Sequence, residues 1–320
     1  MNRFVNALIA KLFGRNIEHQ LNLISSKYYL SFKGEVSMAL QIYSLDGRST
    51  YTCGFADRLR GMITTYAFAK VNNLPFRIDH KVPFLLEEFL VPNKFDWRVK
   101  SEELSYNLLH ANPIVMLDYT KGERLIKLSK KRQHHYYLNI NAIALINKHY
   151  GTNFTYSQLY KELFQPSNLL KDAMSPYEKF IQAGYISISF RFLQLMGDFV
   201  DVCGNTLSED EQQRLSTKCI DFVKSLHDKH NDIKYILVTT DSIKFLNAVN
   251  QLPYVFVIPG KIGHIGYNSD SEINLKMFLD FSLISMAKKA YMAYTGDMYK
   301  SHFAQSAAET TGIPFESIGF

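Results

Sequence analysis

The sequence predicts an α/β protein built from two doubly wound halves, and three observations carry that expectation. Beyond residue 184, apolar runs of strand length alternate with helical patterns, the order that produces a parallel sheet. The chain is 320 residues long, enough for two separate cores. Finally, apolar strands run straight into charged residues, as in Tyr185-Ile-Ser-Ile-Ser-Phe-Arg191 and Tyr235-Ile-Leu-Val-Thr-Thr-Asp241. In open α/β folds ligands lie outside such carboxyl ends.

In the first half, Phe4, Val5, Leu8, Ile9, Leu12 and Phe13 form one helical stripe, flanked by Arg3, Lys11 and Arg15. This stripe within residues 2–15 reads either as an interfacial helix on anionic lipid or as a helix packed on its own domain. Asp57–Asn72 predicts a helix with Leu59, Ile63, Tyr66, Ala67 and Val71 on one side. Strands are expected at Pro75–Asp79, Pro113–Tyr119 and Gln133–Ile140, and helices at Ala142–Tyr150 and Tyr156–Phe164. Gln165–Pro176 holds two prolines and little periodicity, which places the domain boundary there and gives domains 1–170 and 171–320.

The second half opens with a strand, Tyr185–Phe192, and a long helix, Glu209–His230. Ser208 with Glu211 forms a capping-box pattern for that helix. A strand (Lys234–Thr240), a helix (Ser242–Asn250), a strand (Tyr254–Pro259) and a helix (Glu272–Lys288) follow. A strand (Ala290–Tyr294) and a helix (Ser301–Thr311) complete the series.

Four short constellations bear chemistry. In Gly54-Phe-Ala-Asp57-Arg58-Leu-Arg60, a glycine permits a tight turn or close ligand approach at a helix start, where backbone amides attract anions. The alternative there is a capped helix with solvent-facing arginines. Arg191 at its strand end suits a phosphate or diphosphate, because a guanidinium is planar and permanently charged; the alternative is a strand-end ion pair. Thr240-Asp241 places a carboxylate where it can accept two donors from a guanine edge or cap the next helix. Ser301-His302-Phe303, with small residues at 304, 307 and 308, opens the last helix and can hold a phosphate or simply pack. His264, between Gly263 and Gly266, is a candidate for a nucleotide contact. Asp79 and His80 are candidates for an acceptor site with Glu87 or Trp97. His134-His135 lacks a helical partner at i+4 and is discounted as a metal site.

The formal charge of +6 suits an anionic ligand or a membrane surface and is too small and scattered for nucleic acid. Cys53, Cys203 and Cys219 have no metal-ligand spacing and cannot all pair, which with no secretory signal favours a reducing cytoplasm, with the inner membrane face as a peripheral location. No apolar run approaches the roughly 20 residues that span a bilayer.

The four constellations, in this order, resemble the fucosyltransferase superfamily that includes core α1,6-, nodulation and protein O-fucosyltransferases. Gly54-Phe-Ala-Asp57-Arg58-Leu59 is similar to its N-terminal glycine loop, and Ser189-Phe190-Arg191 to its His-x-Arg motif. Thr240-Asp241 is similar to the second motif and Ser301-His302-Phe303 with Ala307-Ala308 to the third. The resemblance implies a GT-B-like architecture: two Rossmann-like domains facing a cleft, the first on the acceptor side and the second binding the nucleotide sugar. It implies a metal-independent, inverting transfer of fucose from GDP-fucose to a glycan, with no cofactor; the missing Asp-x-Asp motif agrees. Arg191 would hold the diphosphate, Asp241 would lie near the guanine, and Ser301 to Phe303 near the phosphates or ribose. Asp57 and Arg58 would face the cleft.

Transfer also needs a base for the acceptor hydroxyl. Asp198, seven residues past Arg191, is the leading candidate, with Asp201 close behind and Asp57 the rival. The sequence departs from the family at Ser189, where the motif has histidine, at the first loop, which keeps only Gly54, and at Ser242, where an acidic residue is usual. These departures leave open another nucleotide sugar, or a scaffold that binds nucleotide or glycan without catalysis.

Overall fold

Apolar and polar side chains alike are buried along the first long helix, so the first half is organised around it. A computed structural model describes residues 27–32, 41–45, 54–116, 132–199, 205–264 and 269–320. The stripe from Phe4 to Phe13, Cys53, Asp201, Cys203 and Gly266 lie outside the described residues. The chain divides into two units, Met1–Gln165 and Pro166–Phe320.

The first unit comprises β1 (Gln41–Leu45), α1 (Phe55–Val71), β2 (Phe76–His80), β3 (Leu90–Pro92), β4 (Ala111–Met116), β5 (Gln133–Leu138), α2 (Ile143–Tyr150), α3 (Tyr156–Leu163) and β6 (Phe164–Pro166). A parallel four-stranded sheet has the order β2-β1-β5-β4. Helix α1 was expected to bury one stripe, yet Arg58, Thr64, Thr65 and Phe68 are buried as well. The polar members are satisfied: Thr64 Oγ1 donates to the Ile140 carbonyl (2.8 Å) and accepts from Ala142 N, and Thr65 Oγ1 donates to the Gly61 carbonyl. Trp97, one of the candidates for an acceptor site, lies wholly buried, its Nε1 donating to the Leu163 carbonyl at 2.9 Å.

The second unit begins with α4 (Asn168–Met174) and α5 (Glu178–Ala183), in and just beyond the weakly periodic stretch read from sequence as the domain boundary. Ser167 caps α4 by accepting from Leu170 N, a local signal masked by the flanking prolines. Then come β7 (Tyr185–Phe190), α6 (Glu209–Lys229), β8 (Tyr235–Thr240), α7 (Ile243–Val249), β9 (Val255–Phe256), α8 (Ser271–Ser285), β10 (Lys289–Tyr294), α9 (Phe303–Thr311) and β11 (Phe315–Gly319). The sheet is parallel throughout, in the order β11-β10-β7-β8-β9.

Strand β7 is central and divides its side chains by parity. Ile186, Ile188 and Phe190 enter a core with Cys219, Val223 and Leu226 of α6 and Phe245 and Val249 of α7. On the other face Tyr185 donates to the Leu283 carbonyl of α8, and α8 and α9 pack together. The expected strand to Phe192 stops at Phe190, for a reason that concerns the site below. Only Val255–Phe256 of the expected Tyr254–Pro259 run pairs. Strand β11 carries no run of apolar residues and sits at an edge, which explains its absence from the expected elements.

The capping box is formed: Ser208 N donates to Glu211 Oε2 (3.0 Å) and the Ser208 side chain accepts from the Glu211 amide. Ser208→Ala is expected to cost about 1 kcal/mol. A urea midpoint unchanged from wild type would contradict that assignment.

Candidate functional site

The chain order of the second sheet creates its site. From β7 the chain moves outward to β8 and β9, then returns to place β10 on the other side of β7. The direction of winding therefore switches between β7 and β10, and the carboxyl ends of those strands are where open α/β sheets bind ligands. Arg191 immediately follows β7, and Thr295 follows β10. A backbone hydrogen bond joins the two loops, Tyr299 N donating to the Arg191 carbonyl at 3.0 Å. This brings Arg191 close to the segment leading into Ser301, His302 and Phe303.

The Arg191 side chain is 21% exposed. Its Nε pairs with Asp241 Oδ2 at 3.2 Å, and its guanidinium carbon lies 4.5 Å from the centroid of Phe199. Stacking on an aromatic face and pairing through Nε both fix the plane of the group.

Asp241 has a use that the sequence did not reveal. It is 3% exposed, and its Oδ1 accepts from Phe192 N (2.7 Å) while Oδ2 accepts from Leu193 N (2.8 Å). These bonds take the two amides out of the strand ladder and end β7 at Phe190. Leu193 has φ +54°, in the left-handed region, where a branched side chain is an outlier. Burial raises the Asp241 carboxyl above its ordinary range, opposed by Arg191 and the Phe192 and Leu193 amides. Both oxygens thus accept backbone bonds from the loop after β7 within the same unit.

Asp198 is committed through one oxygen only, its Oδ1 being buried without a hydrogen-bond partner. Its Oδ2 accepts from Ser242 Oγ (3.0 Å) and from Lys244 N (2.8 Å), so it caps α7 from the preceding loop. Lys244 Nζ completes the tie by donating to the Met196 carbonyl and to Gln212 Oε1, both at 3.1 Å. The loops after β7 and β8 therefore clasp each other, Asp241 reaching one way and Asp198 the other. Thr240 Oγ1 accepts from Ser242 N, and Ser189 Oγ and Thr239 Oγ1 share a buried hydrogen bond of 2.6 Å.

At the head of α9, Ser301 Oγ accepts from Phe303 N (3.2 Å), His302 is exposed, and the buried Ala304, Ala307 and Ala308 let the helix lie close to the sheet. His264 is half-buried in the segment before α8. Sequence reasoning missed Leu193, Phe199 and Tyr299. A positive φ at leucine has no sequence signature, and aromatics are too common in this chain to single out.

In the first unit, Gly54 is the N-cap of α1 with φ −65°, and a Cβ added there would meet nothing within 4 Å. Neither backbone conformation nor internal packing requires glycine at that position. Asp57 pairs with Arg60 in the first turn of the helix. Arg58 is 2% exposed, against the solvent-facing alternative, and its Nη1 donates to His80 Nε2 (3.1 Å) and the Val82 carbonyl (2.9 Å). His80 Nδ1 donates in turn to the Phe84 carbonyl, and burial together with the Arg58 charge pulls the imidazole down to about 3. Arg58 and His80 thus fix the loop that leaves β2.

Among the described residues no group of histidine, cysteine and carboxylate side chains is arranged to hold a metal, and no helix is long and apolar enough to cross a membrane.

Neither a protein-family model nor a curated protein sequence matches the chain. Its fold, however, is similar to that of solved fucosyltransferases. A mutant of FUT1 from Arabidopsis thaliana in complex with GDP matches with a TM-score of 0.54 and 12% identity, over 99% of this chain and 77% of that one. NodZ α-1,6-fucosyltransferase soaked with GDP-fucose matches with a TM-score of 0.52 and 12% identity, over 85% and 91%. The NodZ fucosyltransferase from Bradyrhizobium matches with a TM-score of 0.50 and 12% identity, over 84% and 92%.

Proposed function

We propose that the chain is a glycosyltransferase that moves fucose from GDP-fucose to a glycan, with inversion and without a metal. The observation that carries this reading is the position of Arg191: a braced guanidinium at the winding switch of a sheet whose fold neighbours were solved with GDP or GDP-fucose. The proposed architecture is GT-B-like, with the second unit taking the nucleotide sugar and the first the acceptor.

In this reading Arg191 faces the diphosphate and compensates the charge that grows as the sugar–oxygen bond breaks. The backbone at the head of α9, with Ser301 and His302, adds donors beside it. Thr240, Ser189 and His264 shape the rest of the nucleotide side. The acceptor hydroxyl gives up its proton to a carboxylate as it attacks the anomeric carbon. Asp198 is the leading candidate for that step, because its Oδ2 caps α7 while its Oδ1 is buried without a hydrogen-bond partner. Asp57, which pairs with Arg60, is the rival, with Gly54 leaving room for a ligand beside it and Arg58 holding the adjoining loop. The expected sites of action are the cytoplasm and the inner membrane face.

A panel of GDP-, UDP- and ADP-sugars tests the donor. Slow hydrolysis of GDP-fucose alone is the expected result. Selective turnover of another sugar nucleotide would transfer the reading to that donor, and tight binding without hydrolysis of any would support a binding scaffold, the reading that Ser189 leaves open.

A further inference from the structure

We propose that Asp241 is a positioning residue that acts on the ligand only through Arg191, so that its carboxylate serves diphosphate binding and takes no part in recognising the base. This rests on the reading of Arg191 as the diphosphate group.

Asp241 touches three consecutive residues of the loop after β7: the Arg191 side chain, the Phe192 amide and the Leu193 amide. Those bonds tie the end of β8 to the end of β7 across a long stretch of chain. The carboxylate is buried, and both oxygens already have partners on that loop. A group so placed has no accepting edge directed at a base, but it does control where the guanidinium sits. An arginine side chain has many rotamers, and ordering it on ligand binding would subtract from affinity. Here Nε is held by Asp241 and one face of the guanidinium lies against Phe199, so the ordering is completed by folding. Leu193 shows that the loop is held and not merely relaxed: its φ of +54° is stabilised by the amide bond to Asp241.

The test is calorimetry of GDP, inorganic pyrophosphate and guanosine against wild type, Asp241→Asn, Arg191→Ala and the double variant, with thermal unfolding of each. Asp241→Asn should weaken GDP and pyrophosphate about tenfold, as for a directly coupled neighbour, and leave guanosine unchanged. In the Arg191→Ala background the same substitution should change GDP affinity less than about twofold. Loss of guanosine binding, or an equal loss of GDP affinity with and without Arg191, would overturn the proposal and return Asp241 to the base.

If Asp241→Asn does not fold, the cycle is measured in a Leu193→Gly background, where glycine takes the positive φ without strain. Arg191→Lys gives a second, independent reading with Asp241 intact. Lysine keeps the charge but has no Nε donor, so affinity should fall close to that of Arg191→Ala; wild-type affinity would overturn the proposal. A wild-type protein that binds neither GDP nor pyrophosphate refutes the donor-site reading itself, an outcome distinct from binding without coupling.

Discussion

Arg191→Ala should lower kcat/KM for GDP-fucose by about a hundredfold or more while leaving the melting temperature close to that of wild type. The magnitude follows from the charge-assisted contact that is lost and from the place of that contact in the reaction. Removing one preorganised group that meets developing charge costs about 3–4 kcal/mol, and a hydrogen bond to a charged ligand contributes about 1.5–3 kcal/mol to binding. Because the negative charge on the diphosphate grows as the sugar departs, the loss should be larger in kcat than in GDP affinity. Stability should change little because Asp241 retains its two backbone donors when the guanidinium is gone. The experiment pairs donor hydrolysis with calorimetry. A variant that turns over at the wild-type rate, or one that loses activity only because it has unfolded, would reduce Arg191 to a strand-end ion pair.

The residues that made this site readable in sequence are those where an apolar strand meets a charge. Tyr185 to Phe190 followed by Arg191, and Tyr235 to Thr240 followed by Asp241, located both strands and their carboxyl ends because parallel strands buried on both faces are nearly uninterrupted apolar runs. What the same residues do to one another was not readable. Arg191 suggested a ligand contact or a strand-end ion pair and Asp241 a ligand contact or a helix cap, and only the adjacency of β7 and β8 shows that they pair with each other. Asp198 followed a related course: proximity in sequence to Arg191 suggested a base, and the fold shows that its Oδ2 also holds the first turn of α7 while Oδ1 is left without a hydrogen-bond partner. In the first unit the difficulty was different. Gln133-His-His-Tyr-Tyr-Leu138 is polar at its start, yet all six side chains are buried because the strand lies between β1 and β4. Helix α1 likewise hides Arg58 and two threonines, since each finds a hydrogen-bonding partner inside. Burial of a polar residue depends on what waits for it across the fold, and periodicity carries no information about that.

Those buried histidines predict that the first unit is the acid-labile part of the protein. His135 accepts from Tyr28 Oη at Nδ1 (2.8 Å) and donates from Nε2 to Gln133 Oε1 (3.1 Å), while Tyr28 and Tyr137 share a further bond of 3.0 Å. Burial, with Lys27 and His134 nearby, lowers it to about 3; burial and Arg58 do the same to His80, and burial and Arg132 lower His134 to about 4. The sign follows directly. A histidine whose folded pKa lies below its unfolded value of roughly 6.5 takes up protons preferentially in the unfolded chain, so stability is complete above that pH and falls as pH drops towards the folded value. Each such group costs about 1.4 kcal/mol per pH unit, so His80 and His135 together remove about 4 kcal/mol by about pH 5. That is a large part of the roughly 5–15 kcal/mol that holds a domain together. The buried histidines among the described residues all belong to the first unit, as does Trp97, the one tryptophan of the chain and a fully buried one. Tryptophan emission should therefore shift to the red between about pH 6 and pH 4 while the far-ultraviolet signal of the second unit persists. His135→Gln, which keeps a hydrogen-bonding group but has no proton to titrate in this range, should flatten the curve. Blue-shifted emission retained at about pH 4 would show that the first unit tolerates charged imidazoles at these positions, against the desolvation cost that governs them.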